Sequence, residues 1–275
     1  MARFAIGLEY DGRAYSGWQF QPGLQTVQDV VQRALSRVAD APVACVCAGR
    51  TDAGVHAVEQ VVHFDSTAVR SERGWRLGTN SYLPSDVSVA WVREVPEQFH
   101  ARFSATARSY RYVIFNRDSR SALATGRATW ERRPLDAARM HAAAQALVGE
   151  HDFSAFRAVE CQAKSPLRCV ERLDVTRSAE WLTVAITANA FLHHMVRNVA
   201  GLLMSVGHGA SPAERVATVL ASRDRKTNAA TAPPDGLYLS AVRYPAEFGL
   251  PGAVAQLPTH TGNLPQSVII GRTFE

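Results

Sequence analysis

The sequence predicts an α+β fold of two ferredoxin-like halves, each laying its helices on one face of a large, mostly antiparallel sheet. Three observations predict it. Short runs alternate apolar and polar residues with a period of two, and longer runs repeat apolar residues at i, i+3, i+4 and i+7. Over residues 1–100 these runs follow the order β-α-β-β-α-β. Over residues 101–245 a second split β-α-β order follows, with one helix added. The two halves are not visibly similar in sequence, so the repeat is one of architecture.

The elements read in order as follows. Phe4, Ile6, Leu8 and Tyr10 share one face of a strand over 3–10, and Asp11-Gly12 marks its turn. Thr26 caps a helix with the apolar stripe Val27, Val30, Val31, Ala34, Leu35 and Val38, and Asp29 gives an approximate capping box. Strands are expected at 43–48 and 57–65, a weaker helix at 71–81 and a strand at 86–95. The second half opens with the strand SYRYVIFN at 109–116. A helix over 135–148, with Met140, Ala143, Ala144, Leu147 and Val148 on one face, ends at Gly149. Strands at 168–177 and 181–189 precede a helix over 191–206. Ser211, Pro212 and Glu214 predict the start of one more helix, and GLYLSAVRY at 236–244 is the last strand. Residues 246–275 are rich in Pro and Gly without a period, which predicts an irregular extension.

Composition narrows the class. A chain of 275 residues that is 47% hydrophobic can bury a large core. No run of eighteen apolar residues exists, so no membrane-spanning helix is expected. The first residues carry no apolar leader or small-residue cleavage site, and the expected location is cytoplasmic. The four cysteines match no zinc spacing and read as reduced, small hydrophobes. A net charge of +5 favours an anionic partner, nucleic acid first, although only Lys164 and Lys226 are lysines and an arginine bias also follows codon composition.

The stretch CAGRTDAGVH at 47–56 joins two strand-like runs. Arg50 and Asp52 stand two apart, so in extended chain they point the same way. A neighbouring guanidinium keeps a carboxylate ionised and oriented. Gly49 and Gly54 allow backbone angles or close approaches that a Cβ forbids. An Asp beside Gly often does no more than bond its own loop, so the two residues alone do not assign a role. From residue 101 through Arg117 there is no acid, and basic residues interleave with aromatics. On a strand Tyr110 and Tyr112 share one face and Arg111 takes the other; Tyr110 could equally be a core aromatic. Arg197 lies off the apolar stripe Met195, Val199, Leu202 and Val206. His193 and His194 are adjacent, about 100° apart on a helix, and cannot both grip one metal.

GRTDAGVHA closely resembles the signature of the tRNA pseudouridine synthase A family. EYDGRAYSGWQFQPGLQTVQ at 9–28, FHARFSATARSYRYVIFN at 99–116, GEHDFSAFRA at 149–158, NAFLHHMVRNVAGLL at 189–203 and APPDGLYLSAVRY at 232–244 resemble its other segments. Arg13 and Cys47 depart from the usual Thr and Gly. The resemblance implies two α/β halves with a cleft between them, and isomerisation of uridine to pseudouridine at positions 38, 39 and 40 of tRNA. It implies a homodimer and no cofactor or metal. By resemblance Asp52 is the catalytic carboxylate, as nucleophile at C1′ or as base toward the 2′ proton. By resemblance Tyr110 stacks on the target uracil, Arg50 and Arg197 orient Asp52 or contact RNA, and Gly236-Leu237 lines the pocket floor. No second carboxylate stands at a telling spacing, which weighs against glycoside hydrolysis. A metal-dependent nuclease would need several converging carboxylates, and a plain RNA-binding protein would not need Asp52.

Overall fold

A computed structural model describes residues 1–159 and 161–251; the expected extension therefore lies outside the described residues from 252 on. Its elements are β1 (Ala2–Tyr10), α1 (Val27–Ala39), β2 (Cys45–Cys47), β3 (His56–Ser66), α2 (Glu72–Tyr82), β4 (Val87–Val95), β5 (Ala107–Asn116), β6 (Thr129–Glu131), α3 (Ala137–Ala144), β7 (Gly149–Asp152), β8 (Leu167–Ser178), β9 (Trp181–Ala188), α4 (Met195–Gly207), α5 (Arg215–Ser222) and β10 (Leu237–Arg243). The fold is α+β, with the helices and strands in the expected order.

The differences have local causes. Thr26 caps α1 by accepting from the Asp29 N–H at 3.4 Å, but the Asp29 carboxylate pairs with Arg33 one turn on, at 2.9 Å. β2 is shorter than expected because the residues leading into it bond to α1: Val43 N–H to Ser36 Oγ at 2.9 Å and Cys45 N–H to Gln32 Oε1 at 3.1 Å. The helix expected at 135–148 is α3 followed by a tighter turn over Gln145–Leu147. α4 starts at Met195, not 191, because His194 sits at φ 61°. Ser211 does not cap α5, since its hydroxyl is shared with Ser205 Oγ at 2.7 Å and the helix begins only at Arg215. The short strands β6 and β7 had no visible period.

By internal contacts the described chain forms two units, Met1–Arg108 with the residues from Tyr238 on, and Ser109–Leu237. In the first, the sheet order is β4-β1-β3-β10 with β2 on the β3 ladder. β1 runs antiparallel to β3 (Phe4↔Phe64) and to β4 (Phe4↔Glu94), while β10 joins β3 in parallel through Tyr238↔His56. That register puts Phe4 and Phe64 on one face, their rings 5.5 Å apart, where they meet Trp75 of α2 at 5.6 and 4.9 Å. Trp75 is fully buried. Burying so large a ring against two others contributes several kcal/mol, so truncating it costs about 3–5 kcal/mol.

In the second unit the order is β5-β9-β8-β7, with β6 parallel to β5 (Ile114↔Thr129). α4 buries Met195, Val199, Leu202 and Val206, as its stripe predicts. Its Asn198 is completely buried and bonded at both ends of its amide: Nδ2 donates to Phe156 O at 2.7 Å, and Oδ1 accepts from Thr231 Oγ1 at 2.7 Å and Arg225 Nη2 at 3.1 Å. An amide satisfied on both ends costs little to bury and fixes the 225–232 segment along α4.

Candidate active site

Asp52 lies in the connection between β2 and β3, the hairpin of the first ferredoxin-like unit. The ladder between these strands runs through Cys47↔Val62 and one further bond, Ala48 N–H to Val61 O at 2.8 Å. Beyond it the chain is held by residues from elsewhere. Gln60 brackets Gly49, donating from Nε2 to its carbonyl at 2.6 Å and accepting from its N–H at 3.4 Å. Tyr10 Oη and Thr51 Oγ1 share a buried hydrogen bond at 2.8 Å. Trp18 N–H donates to Thr51 O at 2.9 Å, and Val55 N–H to Asp52 O at 3.1 Å. Gly54 sits at φ 78°, the left-handed region that its position in the loop requires. Gly49 is not among the left-handed glycines of the described residues; its backbone is held by the Gln60 amide instead. Gly12 supplies a close approach: a Cβ there would lie 2.0 Å from Val55 O.

Asp52 is half-buried and Arg50 exposed. Among the described residues their side chains form no ion pair with each other, so adjacency on an extended chain did not carry through the turn. Arg13 is bound to its neighbour Asp11, Nη2 to Oδ2 at 2.6 Å, which accommodates that departure from the family pattern locally. Cys47 is buried and its thiol is pushed up to about 12 by burial, so it packs as a small hydrophobe.

The basic-aromatic run separates into different roles. Phe103 is 75% exposed, stacked on His100 at 4.4 Å, with the Arg102 guanidinium over its ring at 5.6 Å from the centroid. Arg108 is buried and donates to the carbonyls of Ala48 and Ala105, both at 3.1 Å. It belongs to the interior of its unit and is not an available phosphate contact.

In the second unit, Tyr112 is the core tyrosine. It is fully buried, with its hydroxyl bonded to Thr129 Oγ1 at 2.6 Å and Pro233 O at 2.9 Å. Tyr110 is 8% exposed and packs edge-on against Phe191 at 5.0 Å, beside the segment leading into α4. Arg197, on the first turn of α4, is half-buried and donates from Nε to Ala232 O at 2.9 Å, which fixes the direction of its guanidinium. Arg111, on the other face of β5, is half-buried, and burial lowers its pKa. His193 and His194 precede α4, with His194 at φ 61° and the two rings 4.0 Å apart, so the 100° separation expected of helix neighbours does not hold for them.

A family model described as tRNA pseudouridine synthase matches residues 7–104 and 143–245. The chain belongs to the tRNA pseudouridine synthase family. The match spans the β2–β3 connection with Asp52 and the α4 segment with Arg197; β5 with Tyr110 falls between its two parts. A tRNA pseudouridine synthase A of Methylococcus capsulatus is 59% identical over 248 residues, covering 90% of this chain and 92% of that protein. Those of Cronobacter sakazakii and Legionella pneumophila are 53% and 54% identical over 251 and 248 residues. They cover 91% and 90% of this chain and 93% and 95% of their own lengths. A solved chain from a Cbf5-Nop10-Gar1 complex aligns over 73% of this chain and 54% of its own, at 12% identity and a TM-score of 0.29. As a tRNA pseudouridine synthase the protein is an isomerase of uridine in tRNA. No helix of the described residues is long and apolar enough to cross a membrane.

The residues that sequence reasoning missed are those that hold the loop: Gln60, Tyr10 and Arg108. One signal was there. Gln60 occupies the face of β3 shared by Val62 and Phe64, where a polar residue needs a buried partner.

Proposed function

We propose that Asp52 is the single catalytic carboxylate of this enzyme and that its substrates are uridines 38, 39 and 40 of the tRNA anticodon arm. The observation that carries the reading is the Asp52 connection, a carboxylate on a loop whose backbone is bonded at residues 48, 49, 51 and 52. Isomerisation breaks the C1′–N1 bond, turns the uracil and forms a C1′–C5 bond. A carboxylate close to C1′ and C2′ serves it either by attacking C1′ or by taking the 2′ proton. The reaction needs no redox partner and no added group, so no cofactor is invoked. The target base must leave its stack, and an aromatic wall receives it. Tyr110 fills that part of the reading, with Arg197 and Arg50 contacting RNA or orienting the carboxylate.

Tyr110→Phe keeps the ring and loses the hydroxyl. The expected result is a fall in turnover larger than the fall in tRNA affinity, read from tritium release on [5-³H]uridine-labelled tRNA beside filter binding. Equal losses would reduce Tyr110 to a binding or packing role.

The same reading includes a homodimer acting in the cytoplasm, its two subunits sharing the RNA. Light scattering at micromolar protein should return twice the chain mass of 30.0 kDa; a monomer active at that concentration would remove the dimer from the proposal.

A further inference from the structure

We infer that Gln60 and Tyr10 are positioning residues for the Asp52 loop, setting the rate of the chemical step while leaving tRNA affinity unchanged. The inference rests on the catalytic role proposed for Asp52. Gln60 is completely buried, two residues along β3 from Val62, the last rung of the ladder with β2. Main-chain pairing between β2 and β3 ends at Ala48. At the next residue the Gln60 side-chain amide takes the place of a partner strand, offering a donor to the Gly49 carbonyl at 2.6 Å and an acceptor to its N–H at 3.4 Å. One residue past Arg50, Tyr10 of β1 holds Thr51 Oγ1 at 2.8 Å, with both residues buried. The residues on either side of Arg50 are therefore tied to two different strands, and Asp52 follows the second tie directly. The backbone that carries Asp52 is thus set by bonds from Gln60 and Tyr10 to the residues flanking Arg50. A displacement of a reacting group by about 1 Å costs on the order of 10²-fold in rate, so such ties act on turnover before they act on binding.

The same unit holds a matched control. Asn80 of α2 brackets Val89 of β4 in the same manner, donating from Nδ2 to its carbonyl at 2.9 Å and accepting from its N–H at 2.7 Å, away from the Asp52 loop. Gln60→Met conserves volume and removes the amide. Tyr10→Phe is isosteric and removes one hydroxyl. Asn80→Leu removes the control bracket. Each is measured for kcat and KM by tritium release, for tRNA affinity by filter binding and for melting temperature, beside wild type and Asp52→Ala.

Gln60→Met should lose about 30-fold or more in kcat, and Tyr10→Phe about 3- to 10-fold, with tRNA affinity within about twofold of wild type. Asn80→Leu should keep its kcat per folded molecule even if its melting temperature falls as far. Full kcat in Gln60→Met and Tyr10→Phe, or an equal kcat loss in Asn80→Leu, would overturn the positioning role while Asp52 stood. Should Gln60→Met fail to fold, Tyr10→Phe decides alone. Activity in Asp52→Ala would overturn the catalytic reading and this inference with it.

Discussion

Asp52→Ala should abolish tritium release from [5-³H]uridine-labelled tRNA, by at least about 10³-fold or ~4 kcal/mol on the barrier, while the protein still folds and binds tRNA. The size follows from what is removed. Without the carboxylate there is no group in the proposal to attack C1′ or to take the 2′ proton, and no second acid to substitute for it. Folding should survive because the backbone of the connection is held at several other points. Asp52 contributes its main-chain carbonyl to Val55, and the remaining ties run to Ala48, Gly49 and Thr51. Asp52→Asn, which keeps the shape and loses the charge, should be equally inactive. Wild-type release should persist in chelator, since no step is assigned to a metal. Release by Asp52→Ala at the wild-type rate would end the assignment. Loss of tRNA binding together with activity would make Asp52 a structural or RNA-contact residue instead.

Glu59→Gln should stabilise the protein at pH 8 and leave it nearly unchanged at pH 5. Glu59 lies on β3, 5% exposed, and among the described residues its Oε2 is buried without a hydrogen-bond partner. Burial raises its pKa from 4.5 to about 7. The sign follows from proton counting. Between these two values the folded protein holds the proton and the unfolded chain has released it, so stability falls as pH rises from 4.5 through 7. Above that window the buried charge is at its full cost, about 3 kcal/mol from the shift alone. A cavity of about 50 Å³ adjoins Glu59, lined by Gly7, Leu8, Glu9, Val58, Ala90 and Trp91, and lets water screen part of the carboxyl. A gain of about 2 kcal/mol at pH 8 is therefore the expected result, read from urea midpoints of both proteins at the two pH values. An equal difference at pH 5 and pH 8 would mean that Glu59 does not titrate across that range.

These two acids show where sequence reading reaches and where it stops. The string around Asp52 stood out because its motif is local: one carboxylate in ten residues between two strands. Glu59 did not, although it is seven residues away. In the run AVEQVVHF the alternation suggests one polar face, yet both Glu59 and Gln60 are buried, because the other face of β3 is covered as well. Period-two patterning identifies a strand, and it cannot reveal how many of its faces are covered.

Local order therefore came from local pattern. The alternation of β1, the stripe and Thr26 cap of α1 and the buried stripe of α4 could be read directly, since each depends on residues within a few positions of one another. The α+β class followed from their succession. The late start of α4 at His194 and the displaced start of α5 could not be read, since they depend on one left-handed residue and on a serine pair six residues apart. The ties around the Asp52 loop needed the folded chain entirely. Tyr10 reaches Thr51 across 41 residues and Arg108 reaches Ala48 across 60. No spacing rule links such partners: the register of β1 and β3 brings Tyr10 to Thr51, Arg108 comes from another strand, β5, and register is set by burial of whole faces.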